Sequence, residues 1–187
     1  MKDNHLASVY PARHRYRHVI VFMAAMASLS LQSSNARAAT LVPDDYRVGK
    51  VVSKFDDTWQ IAAAFRLRSP RRLRAQYLEF AVGATTTPRE TRAFVSMGPV
   101  WRFPVYRDRI SIKLGFSPTL LAGSVFGGRD MGGKVHFTSS AAVEAALGVR
   151  RSASLALRIQ HTSNGSLNST NPGMDIVGLS FGYRFDQ

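Results

Sequence analysis

The 187-residue chain contains no cysteine, which excludes a disulfide-stapled scaffold, a thiolate metal site and a cysteine nucleophile together. It has no apolar run near the ~20 residues that a membrane-spanning helix needs, so a bundle of such helices is excluded as well. Acid is scarce: 12 Asp and Glu stand against 25 Lys and Arg, and the formal net charge is +13. A surplus of that size suits a partner of opposite sign, either nucleic acid or an anionic lipid surface. The length fits one domain with a core of its own. These absences leave a soluble domain, a nucleic-acid binder or a membrane protein built from strands.

Residues 1–38 read as a targeting segment rather than as fold. Lys2, Arg13, Arg15 and Arg17 form a basic n-region, residues 19–31 an apolar core too short to span as a helix, and Ala36-Arg37-Ala38 a small-residue cleavage site. The expectation is a cleaved signal peptide over 1–38 and a folded part over 39–187 that remains strongly basic. Export into an envelope makes nucleic acid a poor partner and anionic lipid or lipopolysaccharide the expected counter-charge.

The remainder shows no internal repeat and no sustained helical period, but it alternates with period two. Val135, Phe137, Ser139, Ala141, Val143 and Ala145 share one face of a strand, while His136, Thr138, Ser140, Ala142, Glu144 and Ala146 share the other. Ile110, Ile112, Leu114 and Phe116 alternate in the same way with Ser111, Lys113, Gly115 and Ser117. Punctuated by turn residues, the pattern predicts eight strands near 45–53, 58–68, 73–84, 92–103, 109–121, 134–149, 153–163 and 174–185. These are of the length of tilted transmembrane strands, and an even number is what a closed antiparallel barrel needs. A soluble β-sandwich also alternates, but its polar face is rich in charges of both signs. Here that face is mostly Gly, Ala, Ser and Thr with isolated charges such as Arg66, Glu79, Lys113 and Glu144, as in a narrow barrel interior where charges can pair. The expected fold is therefore all-β, an eight-stranded antiparallel transmembrane β-barrel. Trp59, Trp101, Phe103, Tyr183 and Phe185 at strand ends would form its interfacial girdles.

Three polar residues break the apolar phase. In the seventh segment Leu155, Leu157 and Ile159 are followed in phase by His161 and Ser163, and in the eighth Asp175 precedes Val177, Leu179 and Phe181. Polar groups on a lipid face are costly, and those that persist there mark function more often than not. His161 and Ser163 project side by side, and Asp175 faces them across a hairpin: a nucleophile, a base and a group to orient the base. An interfacial histidine beside a strand-end serine is the plain alternative.

The run His161-Thr162-Ser163-Asn164-Gly165, followed by Asn171-Pro172-Gly173-Met174-Asp175, resembles the C-terminal signature of the PagL-type lipid A 3-O-deacylases. The resemblance implies an eight-stranded outer-membrane barrel that hydrolyses the 3-O-linked hydroxyacyl chain of lipid A in lipopolysaccharide. It gives His161 the role of catalytic histidine, Ser163 that of nucleophile and Asp175 that of acidic member, where the best-known pattern has glutamate. Asn171, and with it Asn164 and Gly165, match loop positions that could donate to an oxyanion. Asn164 is out of phase with Ser163. The resemblance calls for no metal and no cofactor, and for outer-membrane lipids as surroundings.

Other candidates are weaker. His136 falls on the interior face as a packed polar residue. The glycine-rich 127–133 segment lacks a phosphate-loop pattern and reads as a flexible outer loop. The basic stretch from Arg66 to Arg74 has no interleaved aromatics, as a single-strand binder would. With Arg107, Arg109, Arg150 and Arg151 it collects at the end away from His161, which suits phospholipid headgroups or other anions. The rival functions are a non-enzymatic structural or adhesive barrel and a phospholipase or lipid acyltransferase using the same face.

Overall fold

A computed structural model describes residues 42–55 and 57–183; the 1–38 leader and residues Arg184 and Phe185 lie outside the described residues. Ten strands follow in order: β1 (Asp45–Val51), β2 (Trp59–Leu67), β3 (Tyr77–Thr86), β4 (Thr91–Tyr106), β5 (Ile110–Leu121), β6 (Val125–Phe126), β7 (Arg129–Asp130), β8 (Val135–Leu147), β9 (Ala153–Ser163) and β10 (Met174–Tyr183). Eight of them close an antiparallel barrel in the order β1-β10-β9-β8-β5-β4-β3-β2, while β6 and β7 pair as a small separate hairpin. Each barrel neighbour is the next long strand in sequence, and β1 pairs with β10 from Asp45↔Gly182 to Val51↔Ile176 to complete the ring.

The alternation places apolar side chains outside and polar ones inside, the inverse of a soluble barrel. Leu157 is 57% exposed and Leu179 is 49% exposed, while Ser111 is 0% and Glu144 3% exposed. A wall of exposed Leu, Ile, Val and Phe of this extent demands hydrocarbon rather than water around it, and a closed ring of strands satisfies its backbone there. Inside, the isolated charges meet. Arg47 Nη2 lies 2.5 Å from Glu79 and 3.4 Å from Asp45, and Arg158 lies 3.9 Å from Glu79. Lys113 pairs with Glu144, and Arg102 lies 3.5 Å from the same carboxylate. Arg66 differs from its expected interior partners by lying over the ring of Tyr77, 4.9 Å from the centroid.

Toward the β9–β10 end the interior turns apolar. Val51, Phe94, Leu121, Met174 and Ile176 on the barrel strands meet Phe126 of β6 and the loop residues Phe55 and Met131 to form a plug. Below it a small cavity of about 20 Å3, bordered by Gln60, Thr85, Thr138 and Gln160 among other residues, has room for little more than one water. This cavity is far too small for an acyl chain.

Two local expectations are corrected. The third strand begins at Tyr77 rather than at 73, because Arg71–Leu73 form a 3-10 turn closed by Arg74 in a left-handed conformation. The 127–133 segment is not a loose outer loop: β7 within it pairs with β6 just before it, Gly127 N–H donates to Glu90 at 2.6 Å, and the Arg129 guanidinium lies 5.6 Å from the centroid of the Phe55 ring.

Candidate active site

Strand pairing brings the out-of-phase polar residues together. β9 and β10 run antiparallel with Asp175 directly opposite His161. Both side chains stand on the outer wall, about half exposed, with His161 Nδ1 2.7 Å from Asp175 Oδ1. A carboxylate only accepts, so Nδ1–H donates, and Nε2 is left as an acceptor facing away from the carboxylate. Gly173, with φ of +64°, makes room for the ring: a Cβ there would sit 3.1 Å from His161 Cε1. The backbone of Asp175 is held on its other side by the two residues that follow β1, its N–H donating to Ser53 Oγ at 3.0 Å and its carbonyl accepting from Val52 N–H at 2.8 Å.

Ser163 occupies the next outward position of β9, half-buried at the strand's last residue. It is paired with Phe137 of β8, whose ring stacks on Phe116 at 5.9 Å. Residues two apart on a strand lie roughly 7 Å apart along it, within reach of an imidazole and a rotating hydroxyl. Among the described residues no hydrogen bond joins Ser163 to His161; such contacts are commonly long in unliganded sites and close when substrate binds.

The loop that follows is tied from within. Asn164 is fully buried: its Nδ2 donates to Thr170 O at 2.7 Å and Gly132 O at 3.2 Å, its Oδ1 accepts from Ser166 N–H at 2.9 Å, and its own N–H donates to Asn171 Oδ1 at 3.1 Å. Asn164 therefore staples the β9–β10 loop to the β7–β8 segment, and its donors are committed there rather than open to an oxyanion. Asn171 is exposed, and its Nδ2 has no partner among the described residues. Gly165 is exposed with φ of +60°. His136 is fully buried, as expected of an interior residue, with Nε2 3.0 Å from Met131 O.

Ser53 and Gly132 escaped the sequence reading. Ser53 carries no motif, since only strand closure brings it to Asp175. Gly132 is one of four glycines in a loop, yet a Cβ on it would fall 1.9 Å from Thr170 O and 2.2 Å from Asn164 Nδ2, at a φ of +72°. Gly132→Ala is expected to loosen the β9–β10 loop by about 1–3 kcal/mol. Limited proteolysis should then cut within 164–173 at least about tenfold faster while the barrel keeps its heat-modifiable gel migration; unchanged cutting would refute the staple.

These features define a class: a transmembrane barrel that carries an imidazole–carboxylate pair and an adjacent serine on its outer wall. The family model described as lipid A 3-O-deacylase (PagL) matches residues 46–184, and the chain belongs to that family. It is 30% identical over 97 residues to the lipid A deacylase PagL of Bordetella bronchiseptica, a match covering 48% of this chain and 53% of that protein. The chain thus spans about half the length of this curated relative. The crystal structure of the outer membrane enzyme PagL superposes with a TM-score of 0.57 at 18% identity, covering 75% of this chain and 98% of that one, a likeness of fold.

Proposed function

We propose that this protein is an outer-membrane lipid A 3-O-deacylase, a serine esterase in which Ser163 is the nucleophile, His161 the base and Asp175 the group that orients the base. The observation that carries the reading is the 2.7 Å contact between His161 and Asp175 on an otherwise apolar wall, one outward position from Ser163, in a chain of this family. His161 Nε2 takes the Ser163 proton as Oγ attacks the carbonyl carbon of the ester at position 3. Collapse of the tetrahedral intermediate breaks the acyl–oxygen bond, and the imidazolium returns the proton to the sugar oxygen. Water, activated by the same nitrogen, then attacks the acyl-serine and releases a 3-hydroxy fatty acid with Ser163 restored. Asp175 holds the tautomer and offsets the imidazolium charge. Asn171 Nδ2 and the Gly165 N–H are the donors assigned to the oxyanion. The 2.7 Å contact also supports aspartate in the place of the family's glutamate, since directly opposed strand positions bring the shorter carboxylate within reach.

The position of the site supports the substrate class. A glycolipid already in the membrane reaches the outer wall by lateral diffusion, and the interior cavity of about 20 Å3 is too small to receive it. The leader expected over 1–38 fits delivery to that membrane.

Fluorophosphonate labelling of the refolded protein, followed by peptide mass spectrometry, tests the assignment. The adduct is expected on Ser163. Asp175→Asn should slow both labelling and turnover by on the order of 10^2–10^4-fold, the effect of a mis-set tautomer, while Asp175→Glu should stay within about tenfold of wild type. A labelled residue other than Ser163, or an Asp175→Asn variant as fast as wild type, would defeat the mechanism.

A further inference from the structure

The barrel end opposite the His161–Asp175 pair is closed by three turns, β2–β3, β4–β5 and β8–β9. All three present exposed arginine: Arg71, Arg72 and Arg74 in the first, Arg107 and Arg109 in the second, and Arg151 in the third. Acid is sparse beside them among the described residues. Asp108 lies 3.9 Å from Arg151, and the half-buried Asp44 accepts a hydrogen bond from the backbone of Arg66.

In each turn one arginine adopts the left-handed conformation: φ is +48° at Arg74, +42° at Arg107 and +54° at Arg151. Glycine or asparagine occupies that region at lower energy than a long side chain does. The β4–β5 turn has both central residues left-handed, Arg107 and Asp108, closed by Arg109 N–H donating to Tyr106 O at 2.7 Å; Asn-Gly is the pair this turn type favours. Three turns out of three thus keep a cation where backbone energetics favours a small uncharged residue, so folding alone does not account for it. Apolar side chains alternate with these cations. Leu73 is 42%, Val105 61% and Val149 95% exposed, and the Arg107 guanidinium lies 5.3 Å from the centroid of the Tyr106 ring. Guanidinium groups interleaved with exposed apolar and aromatic groups at strand ends match a headgroup plane: the forks bind phosphate bidentately and the apolar groups enter the acyl boundary.

We propose that this end is a docking surface for anionic phospholipid headgroups, held by the turn arginines in the leaflet opposite the catalytic pair. Only the leaflet, not the binding, rests on the deacylase reading.

The test counts retained lipids by native mass spectrometry of the full folded protein in detergent micelles doped with phosphatidylglycerol or phosphatidylcholine. The wild type should retain phosphatidylglycerol at least about threefold over phosphatidylcholine. The Arg74→Asn, Arg107→Asn, Arg151→Asn triple variant removes the charge but tolerates the left-handed turns. It should keep its unfolding midpoint and fall to near parity. Arg71→Gln, Arg72→Gln, Arg109→Gln, which leaves those three turn positions alone, gives the same readout should the first variant fold poorly. Lys54→Gln with Arg89→Gln, at the other end, should leave the preference intact. Equal retention of the two lipids by wild type, a preference that survives both turn-end variants, or tighter capture of a single-stranded RNA than of phosphatidylglycerol would overturn the proposal. Deacylase activity is read on the same samples: a lipid preference without activity keeps the docking surface and removes only its leaflet.

Discussion

Ser163→Ala is expected to leave the barrel folded and to lower lipid A deacylation by on the order of 10^3-fold or more, the scale on which loss of a serine nucleophile acts. The substitution is structurally mild. Ser163 ends β9, half-buried on the outer wall, and the loop after it is anchored by Asn164 rather than by the serine hydroxyl. Heat-modifiable migration and the unfolding midpoint should therefore match wild type while turnover collapses and fluorophosphonate no longer reacts. Residual activity near wild type would remove Ser163 from the chemistry and leave His161 and Asp175 as a base–acid pair activating water directly.

The second large effect concerns the interior. Glu79 is 7% exposed and faces Arg47 at 2.5 Å and Arg158 at 3.9 Å. Glu79→Ala leaves two guanidinium groups in a narrow polar core with their shared carboxylate gone. Removing one partner of a buried ion pair costs about 3–5 kcal/mol; Asp45, 3.4 Å from Arg47, still offsets that guanidinium, while Arg158 loses the carboxylate beside it and stays desolvated. Urea unfolding of the refolded variant, followed by gel migration, should show a loss of that size. Arg47→Met combined with Glu79→Leu should recover part of it, since that change removes a charge of each sign together. A loss below about 1 kcal/mol for Glu79→Ala would mean that water reaches these groups and solvates them.

Much of this architecture was legible in the chain because a bilayer outside and a narrow polar lumen inside impose strict alternation. The run from Val135 to Leu147 carries both faces without a break, and β8 forms over it. Alternation also marks the site: His161, Ser163 and Asp175 each sit where leucine or valine would be expected, and strand pairing sets His161 opposite Asp175. The features that stayed hidden depend on contacts distant in sequence. The order of the 127–133 segment rests on Glu90, Phe55 and Asn164, none of which is visible from its own glycines. The resemblance offers Asn164 as a donor to the oxyanion, but its position out of phase with Ser163 turns it inward, and its amide is spent on Gly132 and Thr170 inside the loop end. The late start of β3 has a local cause, the 3-10 turn at Arg71–Leu73, and arginine in a left-handed position is not a residue choice that announces a turn.

The central claim, an esterase acting on lipid A from the barrel's outer wall, is tested most directly by mass spectrometry of lipid A and of the released acids after incubation with the refolded wild-type protein. The expected result is lipid A lighter by one 3-hydroxyacyl chain, lost from position 3, with the matching free 3-hydroxy fatty acid in solution. Intact lipid A from a demonstrably folded barrel, or a lysophospholipid formed from added phospholipid in place of deacylated lipid A, would contradict it.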